Sequence, residues 1–148
     1  MATTKISTQD AARDITQEEL SLVRSYLLLT FIHKVFERDC RVIGKSGLFK
    51  TPQLYMELVS TGAKKTSLML KEVKRELDLH DLRIITILQD VQGVVARYNC
   101  RECPGELSIL WPGFRREMML RMRAYLGLAT EFSVLNREEH AEQLAMIL

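Results

Sequence analysis

The sequence predicts an α+β fold: two long helices, a small antiparallel β-meander, then one or two C-terminal helices. Three observations carry that expectation. Apolar residues recur at helical spacing through two long stretches before residue 80. Between residues 83 and 111 the apolar runs are short, partly β-branched and separated by turn residues. Helical spacing then returns after Pro112-Gly113. At 148 residues, 47% hydrophobic and 27% charged, the chain has the size and composition of one globular domain.

Residues 1–15 are polar and without sustained periodicity, so they read as a tail ahead of a single domain spanning 16–148. Thr16 with Glu19 makes a capping box, and Ile15 with Leu20 stands at the positions of a hydrophobic staple. The first helix is expected over 17–41. Its centre, residues 26–36, is apolar nearly all round, which predicts burial on several sides or a stripe left for a second subunit in a homodimer. Gly44 and Gly47 bracket a break, and Thr51-Pro52 restarts a helix to about residue 78. Tyr55, Leu58, Val59, Gly62, Thr66, Met69, Leu70, Val73 and Leu77 fall on one stripe of it, and Gly62 there predicts the close approach of another backbone. Strands are expected over 83–90, 94–100 and 107–111, with turns at 89–93 and 100–105. A helix over 114–128 should bury Phe114, Met118, Met119, Met122, Tyr125 and Leu126. Asn136 with Glu139 caps a last short helix over 137–148.

The order of elements and their landmarks resemble the YhjD-like family of small bacterial proteins, over roughly residues 20–126. The resemblance rests on a leucine-rich helix running into Phe36-Glu37-Arg38-Asp39 and on Pro52-Gln53-Leu54-Tyr55 after a short linker. It continues through a helix ending at Lys74-Arg75, the strand pair, and a proline before the Arg-rich helix. It implies the architecture above and brings no functional residues. The chain departs from the family pattern in longer ends and in the Cys100/Cys103 pair.

Twenty-one basic against nineteen acidic residues leave a net charge of +2, too small for a generic polyanion binder. Three cysteines, no disulfide framework and no secretory signal point to the cytoplasm, and no stretch is long enough for a membrane span. Cys100-x-x-Cys103 resembles one knuckle of a zinc ribbon, but a structural zinc wants four ligands. As a metal site it is a weak candidate that would have to form between two subunits, and the simpler reading is two free thiols at a turn. Asp78, His80 and Asp81 place carboxylates beside an imidazole, which general-base chemistry requires, yet no nucleophile accompanies them and a helix end explains them as well. Arg115, Arg116, Arg121 and Arg123 make the last long helix the most basic segment, and Lys64, Lys71 and Arg75 would extend it if the two faces were neighbours. Leu68 and Leu120 project from otherwise polar faces.

These residues predict a non-enzymatic cytoplasmic protein without a cofactor, acting by protein–protein interaction: apolar helix surface with Arg and Lys at its rim. The alternative is a nucleic-acid-binding regulator using the 114–128 helix. An apolar patch with a mixed rim favours the first, and one basic face across both helices favours the second.

Overall fold

The computed structural model describes residues 14–128. Helix α1 (Gln17–Ser46) and helix α2 (Pro52–Leu79) form a hairpin and are followed by strands β1 (Leu82–Gln89), β2 (Gly93–Cys100) and β3 (Cys103–Leu110), then helix α3 (Trp111–Tyr125). The strands make one antiparallel sheet in the order β1-β2-β3. This is the predicted α+β order, with one helix after the meander among the described residues. The expected helix over 137–148 and all but the end of the expected tail lie outside them. Asp14 and Ile15, assigned to that tail, belong to the fold: Ile15 and Leu20 pack on the core, and the Asp14 carbonyl accepts a bond from Arg101.

The α1 capping box is complete, with Glu19 N–H donating to Thr16 Oγ1 (3.1 Å) and Thr16 N–H donating to Glu19 Oε1 (3.0 Å). The helix runs past its expected end at 41, through Gly44, and stops at Gly47 in the left-handed conformation (φ 68°). Gly44 marks a close crossing rather than a break. A Cβ there would lie 2.9 Å from Met56 Cε of α2.

Helix α1 is the centre of the molecule. Val23, Leu27, Leu28, Ile32 and Phe36 are buried, and within residues 26–36 only Lys34 is exposed. Phe31 meets the edges of Trp111 and Phe114 (ring centroids 6.3 and 5.1 Å). On the other flank the His33 ring lies against Ala63 and Thr66 of α2. The stripe expected to await a second subunit is therefore covered within the chain. An all-round apolar helix of this length is what a small two-layer domain uses as its axis.

Helix α2 buries less of its stripe than its spacing suggests. Gly62, Thr66 and Leu77 are buried, whereas Tyr55, Leu58 and Met69 are exposed. Gly62 is approached by the Phe36 and Leu126 side chains, both 3.0 Å from the place of its missing Cβ, and not by another backbone. On α3, Met118 and Met122 pack on the core, but Met119 points outward, as do Leu68 and Leu120.

The hairpin between β2 and β3 turns on Arg101 and Glu102 alone, both with positive φ (49° and 69°). Pro104 and Gly105, expected in this turn, are strand residues. Gly105 pairs with Tyr98, whose ring lies 2.5 Å from where a Cβ would stand. Trp111, expected to end the third strand, begins α3, and Pro112 sits in the first turn, where its missing N–H costs nothing. Between β1 and β2, the Asp90 carboxylate accepts from Gln92 and Gly93 N–H (2.7 and 2.9 Å). The Asp90 carbonyl accepts the Trp111 indole N–H at 2.7 Å.

Candidate functional site

Two places stand out, one buried and one exposed. The buried one is Glu19, 1% exposed at the first turn of α1. The Arg101 guanidinium grips its carboxylate with both arms, Nη1 donating to Oε2 (2.6 Å) and Nη2 to Oε1 (3.0 Å). Arg101 also donates to the carbonyls of His80 and Asp14. His80 Nδ1 lies 3.3 Å from Glu19 Oε2, and the Cys100 thiol donates to the same oxygen at 3.7 Å. Those Arg101 hydrogen bonds hold the Glu19 carboxyl at about 2, well under its ordinary 4.5, against the opposing effect of burial.

This cluster joins the start of α1, the end of α2 and the β2–β3 turn, so it clamps three elements at one point. It also accounts for the Asp78/His80/Asp81 group. His80 caps α2, the Asp81 N–H donates to the Asp78 carbonyl, and the Asp81 carbonyl accepts the Arg101 N–H. Sequence reasoning found Glu19 only as a cap and missed Arg101. The visible signal was an arginine at the apex of a tight turn.

Cys100 belongs to this interior. It is 1% exposed, and its thiol is pushed up by burial and by the Glu19 charge. Cys103, its register partner, is half-buried. A zinc ion shared between two hairpin tips would need Cys100 at the surface as a thiolate, and the fold holds it inside as a thiol. Among the described residues no group of three or more metal-ligating side chains converges.

The predicted basic residues stand in different local settings. Arg121 donates to Ser25 on α1 (3.2 Å), and the Arg115 guanidinium lies over the Trp111 ring, 5.5 Å from its centroid. Arg116 is exposed and Arg123 half-buried. Glu117 of α3 is held by Arg24 of α1 in a two-armed pair (2.8 and 2.5 Å), which lowers its carboxyl. On α2, Arg75 pairs with Glu72, Lys71 is exposed, and Lys64 lines the groove shared with α1 beside His33 and Glu37. That open groove, about 530 Å³, carries the Glu37–His33 contact (3.1 Å). From α2, Lys65 reaches the end of α3, donating to the Tyr125 carbonyl at 3.1 Å.

The exposed place is the free end of the α1–α2 hairpin. Leu48 (86% exposed), Phe49, Leu54 (63%), Tyr55 and Leu58 (52%) stand in solvent there. Phe49 and Tyr55 rings contact at 5.3 Å. Leu54 and Leu58 are one turn apart on the α2 face that continues into Gly62, where Phe36 and Leu126 cover it, and Lys65, which bonds the end of α3. Residues 38–65 contain six basic side chains against two acidic, all on this arm of the hairpin. Together these five apolar side chains expose on the order of several hundred Å², the size at which a surface patch acquires a use.

A model of the YhjD protein family matches residues 14–130. The chain belongs to the YhjD family. Neither a curated protein nor a solved structure matches it. The YhjD match takes in every described residue, so both the buried clamp and the exposed apolar residues at the hairpin end lie within it. No described helix of this YhjD chain is long and apolar enough to cross a membrane.

Proposed function

We propose that this YhjD-family protein is a non-enzymatic cytoplasmic binding protein whose ridge at the hairpin end docks an acidic, apolar-anchored segment of another protein. The observation that carries the reading is the run of exposed Leu48, Phe49, Leu54, Tyr55 and Leu58 on an arm with an excess of cations. Apolar anchors supply the binding energy, and Lys45, Lys50 and Lys65 at the rim select against basic partners. Nucleic acid is the weaker alternative, because Arg115 and Arg121 are already engaged by Trp111 and Ser25.

The test compares capture from extract, with and without nuclease treatment, by the wild-type chain, by Leu54→Glu/Leu58→Glu, and by Arg115→Ala/Arg116→Ala. The expected result is one protein retained by wild type and by the arginine variant and lost from the leucine variant. Capture that depends on the arginines and vanishes with nuclease would replace this reading with the nucleic-acid one.

A further inference from the structure

The Cys100/Cys103 pair is placed for a chemistry other than metal binding. Across β2 and β3 the inward side chains meet in register: Val94 with Ile109, Ala96 with Leu107, Tyr98 with Gly105 and Cys100 with Cys103. The Arg97–Glu106 ion pair (3.0 Å) fixes the same register on the outer face. Residues directly opposed on an antiparallel ladder share a face, so the two cysteines project from the same side of the hairpin. Only Arg101 and Glu102 separate them.

Opposed Cα atoms on such a ladder stand about 4.5–5.5 Å apart, within the range of about 4.4–6.8 Å that a disulfide spans. Their Cβ atoms stand about 4.5–5.5 Å apart and a disulfide draws them to about 3.8 Å, so the tip has to close by about 1 Å. A bond formed against that resistance is one that thiols readily reduce again. Burial, then the Glu19 charge, raise the Cys100 thiol, and the nearby Cys103 sulfur acts in the same direction. The burial that keeps Cys100 from serving a metal as a thiolate suits a disulfide, which carries no charge. The third cysteine offers no competing partner. Cys40 lies on α1, 21 residues beyond the Glu19 that Cys100 touches, which is about 32 Å along the helix axis.

We propose that Cys100 and Cys103 form a reversible thiol–disulfide site, oxidised by a small-molecule disulfide such as glutathione disulfide. Cys103, half-buried, is the sulfur that the oxidant reaches, and Cys100, 1% exposed, is the one that completes the bond. The Cys103 sulfur attacks one sulfur of the oxidant, the S–S bond of the oxidant breaks, and one glutathione leaves with the Cys103 proton. The Cys100 sulfur then displaces the second glutathione from Cys103, and the Cys100 proton leaves with it. Two electrons pass from the cysteines to the oxidant, and one intrachain disulfide and two glutathione thiols result. The new bond removes the S–H that Glu19 Oε2 accepts at 3.7 Å, so oxidation alters the surroundings of the Glu19–Arg101 clamp at the carboxylate itself.

Reduced full-length chain is incubated with glutathione disulfide, sampled over time into acid, unfolded, treated with maleimide and mapped by peptide mass spectrometry. The expected early species carries glutathione on Cys103. It gives way to a chain with Cys100 linked to Cys103, two hydrogens lighter and free of maleimide at both, and dithiothreitol restores two labelled thiols. In a fixed glutathione redox mixture, the ratio of linked to free pairs should be at least fivefold higher in the native chain than in concentrated urea. The hairpin holds opposed two sulfurs that the unfolded chain has to bring together. A native ratio no higher than that in urea would mean that the fold resists the bond and would overturn the proposal. So would a lasting glutathione adduct on Cys103 with Cys100 still free, or disulfides that join Cys100 or Cys103 of two different chains. An early adduct on Cys100 would overturn the assignment of Cys103 as the sulfur that meets the oxidant.

Discussion

Replacing Arg101 by alanine should be the most destabilising single change at the protein's surface-accessible turns. The substitution removes both arms of the guanidinium from a carboxylate that is 1% exposed, leaving Glu19 charged and buried with only the Thr16 N–H, the Cys100 thiol and His80 near it. The magnitude follows from the carboxyl itself. A fall from 4.5 to about 2 corresponds to about 3 kcal/mol, at about 1.4 kcal/mol per pKa unit. Breaking a buried pair by removing one partner costs about 3–5 kcal/mol in general, so the two estimates agree. At about 3 °C per kcal/mol for a domain of this size, the melting temperature should drop by about 10 °C.

The same clamp dictates a pH dependence of definite sign. Glu19 has its carboxyl lowered on folding, so the unfolded chain binds the proton more readily. The stabilisation is complete above the ordinary value of 4.5 and is lost as pH falls toward about 2. Glu19→Gln keeps the size and the cap but cannot titrate. Urea denaturation of wild type and Glu19→Gln should therefore show a stability gap that narrows by about 3 kcal/mol between pH 6 and pH 2. An Arg101→Ala protein within 0.5 kcal/mol of wild type at pH 7, or a gap independent of pH, would refute the idea that this pair clamps the fold.

Gly105→Ala puts a methyl group into the Tyr98 ring, which lies 2.5 Å from that position, and should cost about 1–3 kcal/mol by urea denaturation. Stability equal to wild type would mean that the ring swings away freely. Leu28→Ala, at the fully buried centre of α1, should cost about 2–5 kcal/mol, while Leu54→Glu and Leu58→Glu each stay within about 0.5 kcal/mol, because their side chains already stand in water. Maleimide labelling of the native protein at pH 7.5, read by mass spectrometry, should modify Cys103 in minutes and Cys100 only at the rate of opening. Equal labelling of the two would contradict the buried, raised thiol.

Local chemistry was legible wherever neighbours in sequence are neighbours in space. The Thr16/Glu19 box, the Pro52 start, the three strands and the helix after the meander are each specified by side chains within a few residues of where they act. The errors cluster where a contact comes from far along the chain. Gly44 reads as a helix breaker until Met56 of α2 is set against it. Pro104 and Gly105 read as turn residues because their composition is turn-like, yet Tyr98 on the paired strand needs the space of Gly105. The all-round apolar α1 shows in the sequence that it must be covered, but not by what. The covering residues, Trp111, Phe114 and the α2 face, come from 30 to 83 residues away.

The ridge at the hairpin end was half legible for a related reason. Periodicity placed Tyr55 and Leu58 on the apolar stripe of α2, and a stripe is normally core. Whether a given turn of that stripe is buried depends on what α1 and the end of α3 set against it, as Phe36 and Leu126 do at Gly62. The sequence by itself determined the elements, their order and the apolar face of each, because those follow from side-chain period and capping. Only the tertiary structure decided which part of each face stays in water and that Glu19 and Arg101 meet across 82 residues, because both depend on the lengths of packed elements and on a turn conformation shared by two strands.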